Sequence, residues 1–334
     1  MIIAQAGGRS PPAKKYEKVR EMQKLYSNKL VIFSLVLPGL LTFFVAILAP
    51  ILLSIYYSLT EYSGLGEAVF IGLKNYIDLF QDPVFWQALL NSLLLAVGFV
   101  CIQHPIAIFV ALKLDKLQRR SEGLLRCIYF IPNVISVAVI AYLWKFIYNP
   151  NFGLLQKILE FFGYEGKFNA LGSGSAIWAV LVVLIWHGFG WGMLIYYTGI
   201  KNIDPVVYEA AAIDGASGKN TFFYITLPLM KPVIKYNVTL AIISALKQME
   251  TVYLLTNGGP GNETQFLATY LYKQAFNSYK YGYGNAISVV FIVICLLATV
   301  LLNWAFAERD GKKGGNAPCK SGAGALVASS GPRP

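Results

Sequence analysis

The sequence predicts an all-α integral membrane protein with six transmembrane helices, and three observations carry that prediction. Of its 334 residues, 56% are hydrophobic and only 13% charged, where soluble domains carry about a quarter charged residues; mean hydropathy is +0.54. Six windows reach the roughly 20 apolar residues that a hydrocarbon core requires: 30–59, 85–112, 124–148, 175–200, 232–255 and 285–306. Charge is the third observation. Of 28 Lys and Arg residues, 21 lie before the first window, in or flanking the turn between the second and third, in or flanking the stretch between the fourth and fifth, or after the sixth. The other loops and their flanks share Lys74, Lys145, Lys157, Lys167, Lys273 and Lys280, while Lys247 lies well inside the fifth window. By the positive-inside rule both termini are cytoplasmic, as an even number of spans requires. The net charge of +11 is thus a topology signal, and nucleic acid is not an expected partner.

Residues 1–29 form a basic segment in which Lys14, Lys15, Lys18, Arg20, Lys24 and Lys29 are spaced by Tyr16, Val19, Met22 and Leu25. It reads either as an amphipathic helix on the inner leaflet or as a solvated topology signal. The first window carries no charge. It is too long for a signal-peptide apolar region and follows a long polar stretch, so it is expected to be retained. Residues 30–306 then form the six-helix domain. Segments 64–86 and 256–283 are rich in aromatics and glycine and are expected to be loops offering a docking surface outside the membrane. Trp86, Trp144, Tyr148, Trp178, Tyr56 and Tyr57 lie near span ends, where amphipathic rings favour the interface. Residues 307–334, rich in Gly, Ala, Ser and Pro, are expected to be a disordered cytoplasmic tail. Cys101, Cys127 and Cys295 fall in or at the ends of spans and Cys319 in the tail, so reduced thiols are expected.

The stretch between the fourth and fifth windows, 201–232, is the most informative. Asp204 is a good N-cap and Pro205 a good first helical residue. Asp214-Gly215 can end the helix, since glycine accepts a left-handed terminus. Ser217 can cap a second short helix carrying Phe222, Phe223 and Ile225, which Pro228 and Pro232 would interrupt. The expectation is a helix–turn–helix elbow on the cytoplasmic face. Ala210, Ala211 and Ala212 keep its first helix slim enough for a protein groove, with Glu209 available to pair with a partner's arginine. The residues equally allow an amphipathic helix re-entering the membrane surface.

Glu209-Ala210-Ala211, then Gly215, then nine residues to Ile225-Thr226-Leu227-Pro228 resembles the EAA signature of permease subunits of binding-protein-dependent ABC importers. Gly72-Leu73-Lys74-Asn75-Tyr76, Phe85-Trp86 and Asn91-Ser92 resemble the outer segment of the carbohydrate-uptake branch, of maltose, glycerol-phosphate or oligo-uronate (alginate) type. Leu255-Thr256-Asn257-Gly258-Gly259-Pro260-Gly261 resembles its Thr-x-Gly-Gly-Pro loop. The resemblance spans about 30–306. It implies the type I ABC importer permease fold in a bacterial inner membrane, with a second homologous permease, two ATPase subunits, an extracytoplasmic solute-binding protein, a carbohydrate substrate and membrane lipid as partners. It also implies a coupling helix docked in a cleft of the ATPase, a role that falls by position on Glu209, Ala210, Ala211, Asp214 and Gly215.

The chain is not expected to be an enzyme or to carry a cofactor. Gly215-Ala216-Ser217-Gly218-Lys219-Asn220 has two residues between its glycines rather than the four of a phosphate loop, and Lys219 precedes Asn220 rather than Ser or Thr. ATP and Mg would be bound by the partner ATPase subunits. No metal site is expected, because neither histidine has a second ligand at i+4.

Ionisable and polar residues in spans are costly and face a cavity or a partner helix. Leu184, His187, Gly188 and Trp191 share a face at i, i+3, i+4 and i+7, and Ala241, Ser244, Ala245 and Gln248 are spaced likewise. Counted from the EAA motif, both stretches resemble the substrate-contacting faces of the maltose-type permease. Small residues leave room, Trp191 offers a stacking face, and His187 and Gln248 offer hydrogen bonds. The alternative for the small and polar residues is helix–helix packing. Lys247 and Glu250 can pair along a helix; if Lys247 instead faces the path, an acidic sugar such as a uronate becomes the substrate. His104-Pro105 is expected to mark a kink with a satisfied imidazole.

A secondary transporter of a small polar solute is the rival reading, but the sequence shows neither inverted repeats nor paired broken helices. A membrane enzyme is disfavoured by the lack of an acidic pair, HExxH or GxSxG. Topology is open to direct test. Cysteines placed at Gly72 or Gly261 are expected to react with an impermeant thiol reagent on intact cells, and one at Gly215 is not. The reverse labelling pattern would overturn the assignment.

Overall fold

The computed structural model describes residues 29–307; the basic N-terminal segment and the tail, with Cys319, lie outside the described residues. Among the described residues, four helices are long and apolar enough to cross a membrane: α1 (Ile32–Ser58), α3 (Pro83–Asp115), α7 (Ala176–Lys201) and α13 (Tyr281–Phe306), with α2 (Lys74–Gln81) between the first two. The third and fifth expected spans are bent pairs rather than straight rods. In the third, α4 (Arg119–Val134) meets α5 (Val137–Ile147) at 95°. In the fifth, α9 (Lys219–Leu229) meets α10 (Lys231–Leu246) at 69°. The expectation that broken helices are absent is therefore corrected. Pro232 lies in the first turn of α10, just past the break at Met230, and Pro132 lies inside α4, two residues before it ends; a proline's missing N–H and ring clash weaken the ladder towards the i−4 carbonyl. The fifth window also ends early, because the chain leaves helix at Lys247–Met249 and resumes in α11 (Glu250–Leu255).

Other prolines are absorbed without a break. Pro50, Pro105 and Pro228 each follow a π-helical turn, Phe44–Leu48, Phe99–Gln103 and Phe222–Thr226 respectively. In each case the residue four before the proline lies at the centre of the turn. An i→i+5 turn widens the ladder where the proline ring would strike the i−4 carbonyl. Pro228 was expected to interrupt its helix; instead it lies in the first turn of the α-helical segment that follows the π turn.

The chain divides into two compact units. The first comprises the residues up to Ala96, Val134–Trp186 and Ala245–Val293. The segments expected as loops here are largely ordered elements. Strands β1 (Thr60–Glu61) and β2 (Val69–Phe70) pair antiparallel. Helices α2, α6 (Leu154–Phe161), α11 and α12 (Leu267–Tyr272) add short amphipathic or buried turns. Buried Asn75 donates to the Ser58 and Thr60 carbonyls, each at 2.9 Å. Asn91 donates to the Glu263 and Gln265 carbonyls at 2.8 Å, fixing the Gly258-Gly259-Pro260 loop to the start of α3. Gly258 (φ +79) has no room for a side chain, since a Cβ would overlap the Gln265 amide.

Trp86 and Trp178 are exposed, as an interfacial belt requires, and Tyr56 is too. Tyr148 is not a belt residue: it is buried, and its hydroxyl donates to the Ala179 carbonyl at 3.1 Å.

The second unit comprises Val97–Asn133, His187–Ser244 and the residues from Ile294. Its core joins Ala107, Ala111 and Leu114 of α3 to Met193, Tyr196 and Ile200 of α7, with Met230 at the α9–α10 bend. Alanines on α3 let the larger α7 side chains approach closely, the usual means of close packing between membrane helices.

Asp82, just ahead of α3, is the electrostatic hub of the first unit outside its spans. Burial tends to raise its pKa. Hydrogen bonds from the Tyr270 and Tyr283 hydroxyls and from the Val84 and Phe85 N–H groups outweigh this and hold it below the ordinary carboxylate value. A depressed folded pKa contributes stability above the unfolded pKa of about 3.9, which is lost as pH falls through the folded value. The Tm of the purified chain is therefore expected to drop more steeply below about pH 4 for the wild type than for Asp82→Asn. Parallel curves would deny Asp82 this role.

Candidate functional site

The elbow forms as local chemistry directs. The Asp204 carboxylate caps α8 (Pro205–Ile213) by accepting the Val206 N–H at 3.0 Å, with Pro205 at the first position. At the other end Gly215 adopts φ +78. Its N–H bonds the Ala212 carbonyl at 3.1 Å, and the Ala216 N–H bonds Ala211 at 2.9 Å. This pair of bonds is a Schellman stop, which satisfies carbonyls that a helix end leaves open.

The two faces of α8 differ. Ala211 is buried, and Tyr208 is half-buried with its hydroxyl 3.3 Å from the Thr226 hydroxyl. Opposite them Val206, Glu209, Ala210 and Ile213 are exposed, Ile213 by 86%. Glu209 makes no ion pair among the described residues. The second short helix is preceded not by a Ser217 cap but by Gly218 at φ +52. The chain turns back there through a conformation that a serine side chain would strain, so Ser217 lies one position too early to cap.

Within the second unit, polar side chains meet the glycine-rich stretch of α7. Gln103 donates to the Gly188 carbonyl at 3.2 Å and Asn237 to the Gly192 carbonyl at 3.1 Å. Both acceptors are glycine carbonyls, reachable because no side chain shields them. The Tyr196 hydroxyl bonds His104 Nδ1 at 2.8 Å. Three buried atoms remain without partners: Gln103 Oε1, His104 Nε2 and Asn133 Nδ2. The His104 imidazole is thus satisfied at one nitrogen only, and Pro105 continues α3 after a π turn rather than kinking it. Orphaned polar atoms in hydrocarbon cost several kcal/mol, so their retention marks a polar locus that the sequence reading passed over. The signal available was Gly188-x-Gly190-x-Gly192 together with amides at 103, 133 and 237.

The residues expected to line a path divide between the units. His187, Gly188, Trp191, Ala241 and Ser244 belong to the second, and Leu184, Ala245, Lys247 and Gln248 to the first. Trp191 (54% exposed) and Ser244 are exposed and His187 is half-buried, while Leu184, Ala241 and Ala245 are buried. Gln248 does not continue the helical face of Ala241, Ser244 and Ala245, because α10 ends at Leu246. Lys247, in the same break, is exposed and makes no ion pair with Glu250. The lost helical register separates them.

Residues 103–307 match the family described as binding-protein-dependent transport system inner membrane component. A probable ABC transporter permease protein of Bacillus subtilis (strain 168) is 38% identical over 278 residues, covering 82% of this chain and 95% of that protein. A lactose transport system permease protein of Rhizobium radiobacter is 32% identical, covering 83% and 93%. Among solved structures, a chain of a bacterial ABC transporter involved in the import of the acidic polysaccharide alginate superposes with a TM-score of 0.74 at 21% identity, covering 89% of this chain and 99% of that one. The two chains share one fold.

The glycine stretch has a measurable requirement. A Cβ on Gly190 would overlap the Tyr129 carbonyl oxygen and come within 2.9 Å of Asn133 Nδ2. Gly190→Val is therefore expected to destabilise the purified chain by about 1–3 kcal/mol, read as a lower Tm. Gly123→Val, where nothing lies within 4 Å, serves as control. Equal Tm values for both variants would show that the contact yields freely.

Proposed function

This chain belongs to the family of binding-protein-dependent transport system inner membrane components, and from that membership we propose that it is a pore-forming subunit of an ATP-driven carbohydrate importer whose ATPases are separate chains. The observation that carries the reading is the elbow. Its capped, sharply terminated helix turns one exposed face, Val206, Glu209, Ala210 and Ile213, outward, which fits insertion into a groove of another subunit. Family membership sets aside the secondary-transporter alternative.

In this reading the elbow faces the cytoplasm with both termini, as the basic segments indicate. Two ATPase subunits bind ATP and Mg and close on nucleotide; Glu209, Ala210, Ala211, Asp214 and Gly215 transmit that closure to the membrane helices. A second permease completes the pore and a solute-binding protein delivers the substrate. Support for a carbohydrate comes from the lactose-permease relative and from the outer segment around Gly72–Tyr76. In the second unit Trp191 and His187 offer an oligosaccharide a stacking face and a hydrogen bond; in the first, Gln248 offers a further hydrogen bond, and exposed Lys247, free of an acidic partner among the described residues, would favour acidic sugars such as uronates.

Gly215→Val forces a β-branched residue into a left-handed conformation at a cost of about 1–2 kcal/mol, and Glu209→Lys reverses the outward charge. Both variants are expected to insert normally but to lose co-purification with the ATPase subunits or substrate-stimulated ATPase activity. The purified chain alone is expected to hydrolyse no ATP. Wild-type transport by both variants, or turnover by the isolated chain, would refute the coupling role.

A further inference from the structure

A cavity of about 400 Å³ lies within the second unit, between the C-terminal turns of α3, the end of α7 and the inward face of the elbow. Its chemistry is split. Lys113 and Lys116 supply two ammonium groups, and Phe109, Leu112, Ile200 and Phe222 supply an apolar wall. The lining carboxylate, Asp115, is engaged by Lys201 at 2.8 Å, so it does not neutralise Lys113 or Lys116. Neither lysine has an acidic partner among the described residues; the Lys113 ammonium rests over the Phe109 ring, 5.5 Å from its centroid. Two uncompensated cations beside an apolar wall match an anionic amphiphile rather than a free ion or a neutral solute.

The bilayer is the source of such a molecule. Asp115 ends a helix long and apolar enough to cross a membrane; its basic end, with Lys113 and Lys116, suits headgroup depth, and Phe109, about a turn before it, suits the acyl region. Basic pockets between spanning helices are a recurrent way of holding anionic headgroups. We propose that this cavity binds an anionic phospholipid, its phosphate between Lys113 and Lys116 and one acyl chain along Phe109 and Phe222. Tyr208 of α8 forms part of the wall, so the bound lipid is a wedge beneath the elbow and braces the face that does not turn outward. Only membrane embedding is needed for this binding; it is independent of what the protein carries.

The test uses the purified full chain with phosphatidylglycerol or phosphatidylcholine, counting retained lipids by native mass spectrometry. A cation near an anionic lipid contributes roughly fivefold in binding. The wild type is expected to retain phosphatidylglycerol preferentially, and Lys113→Gln/Lys116→Gln to lose roughly thirtyfold of that affinity. Lys113→Arg/Lys116→Arg is expected to keep the preference, and Lys145→Gln/Lys157→Gln, outside the cavity, to leave it unchanged. Inorganic phosphate is not expected to displace the lipid. Equal retention of both lipids, an unchanged Lys113→Gln/Lys116→Gln variant, or displacement by phosphate alone would each overturn the proposal.

Discussion

Hydrocarbon offers no water to a polar group, so every amide in a span must find its partner inside the protein. The spans of this chain follow from that constraint, and so do their exceptions. Helices satisfy the backbone; the side-chain amides inside them reach across to carbonyls that another helix has left accessible. Gln103 and Asn237 both choose glycine carbonyls on α7, at Gly188 and Gly192. Each of those oxygens lies in a continuous helix and takes the amide donor in addition to its place in the ladder. Asn133 Nδ2 lies beside Gly190 of α7 yet bonds no carbonyl there, and among the described residues it stays orphaned.

The same constraint explains how this sequence tolerates proline. Pro50, Pro105 and Pro228 would each expose an i−4 carbonyl and press against it, an expensive defect in a membrane. A preceding π turn opens the ladder at that carbonyl and lets the helix continue. Pro132 and Pro232 have no π turn before them, and there the helices break instead. Pro38, by contrast, continues its helix with no π turn before it; the two bends lie at the core-facing Met230 and beside the half-buried Asn133.

Which features were legible in the sequence follows from how local their causes are. Span number came from length and hydropathy, and the elbow from Asp204, Pro205 and Gly215, whose capping bonds reach only two to five residues. The Gln103–Gly188 bond joins residues 85 apart; the glycine run and the amide at 103 mark each side of it, but nothing local pairs them. Gln248 was misplaced for a related reason. Helical periodicity was extended past Leu246, whereas no residue in Lys247-Gln248-Met249 is a breaker by type; the chain leaves helix there for tertiary reasons, with Thr251 and Val252 buried immediately beyond. Ser217 was favoured as a cap on residue preference, but the reversal of the chain at Gly218 required a glycine first.

A coupling element must be stiff along the direction in which it is pushed, and the elbow has the construction for this. Its outward face carries Val206, Glu209, Ala210 and Ile213 on a helix fixed by caps at both ends, and its inward face rests on buried Ala211 and on Tyr208, linked to the buried Thr226 hydroxyl of α9. Thr226 closes the π turn that leads to Pro228 and then to the 69° bend at Met230, whose side chain is buried in the core with Met193 and Tyr196. In the proposed importer, a load applied at Glu209 would pass through Tyr208 and α9 to that bend before reaching α10. A bent pair can change its angle by repacking one buried residue, whereas a straight span would have to tilt as a whole. In the proposed importer the break in the fifth span would therefore lie where motion of the elbow is most readily turned into motion of a membrane helix.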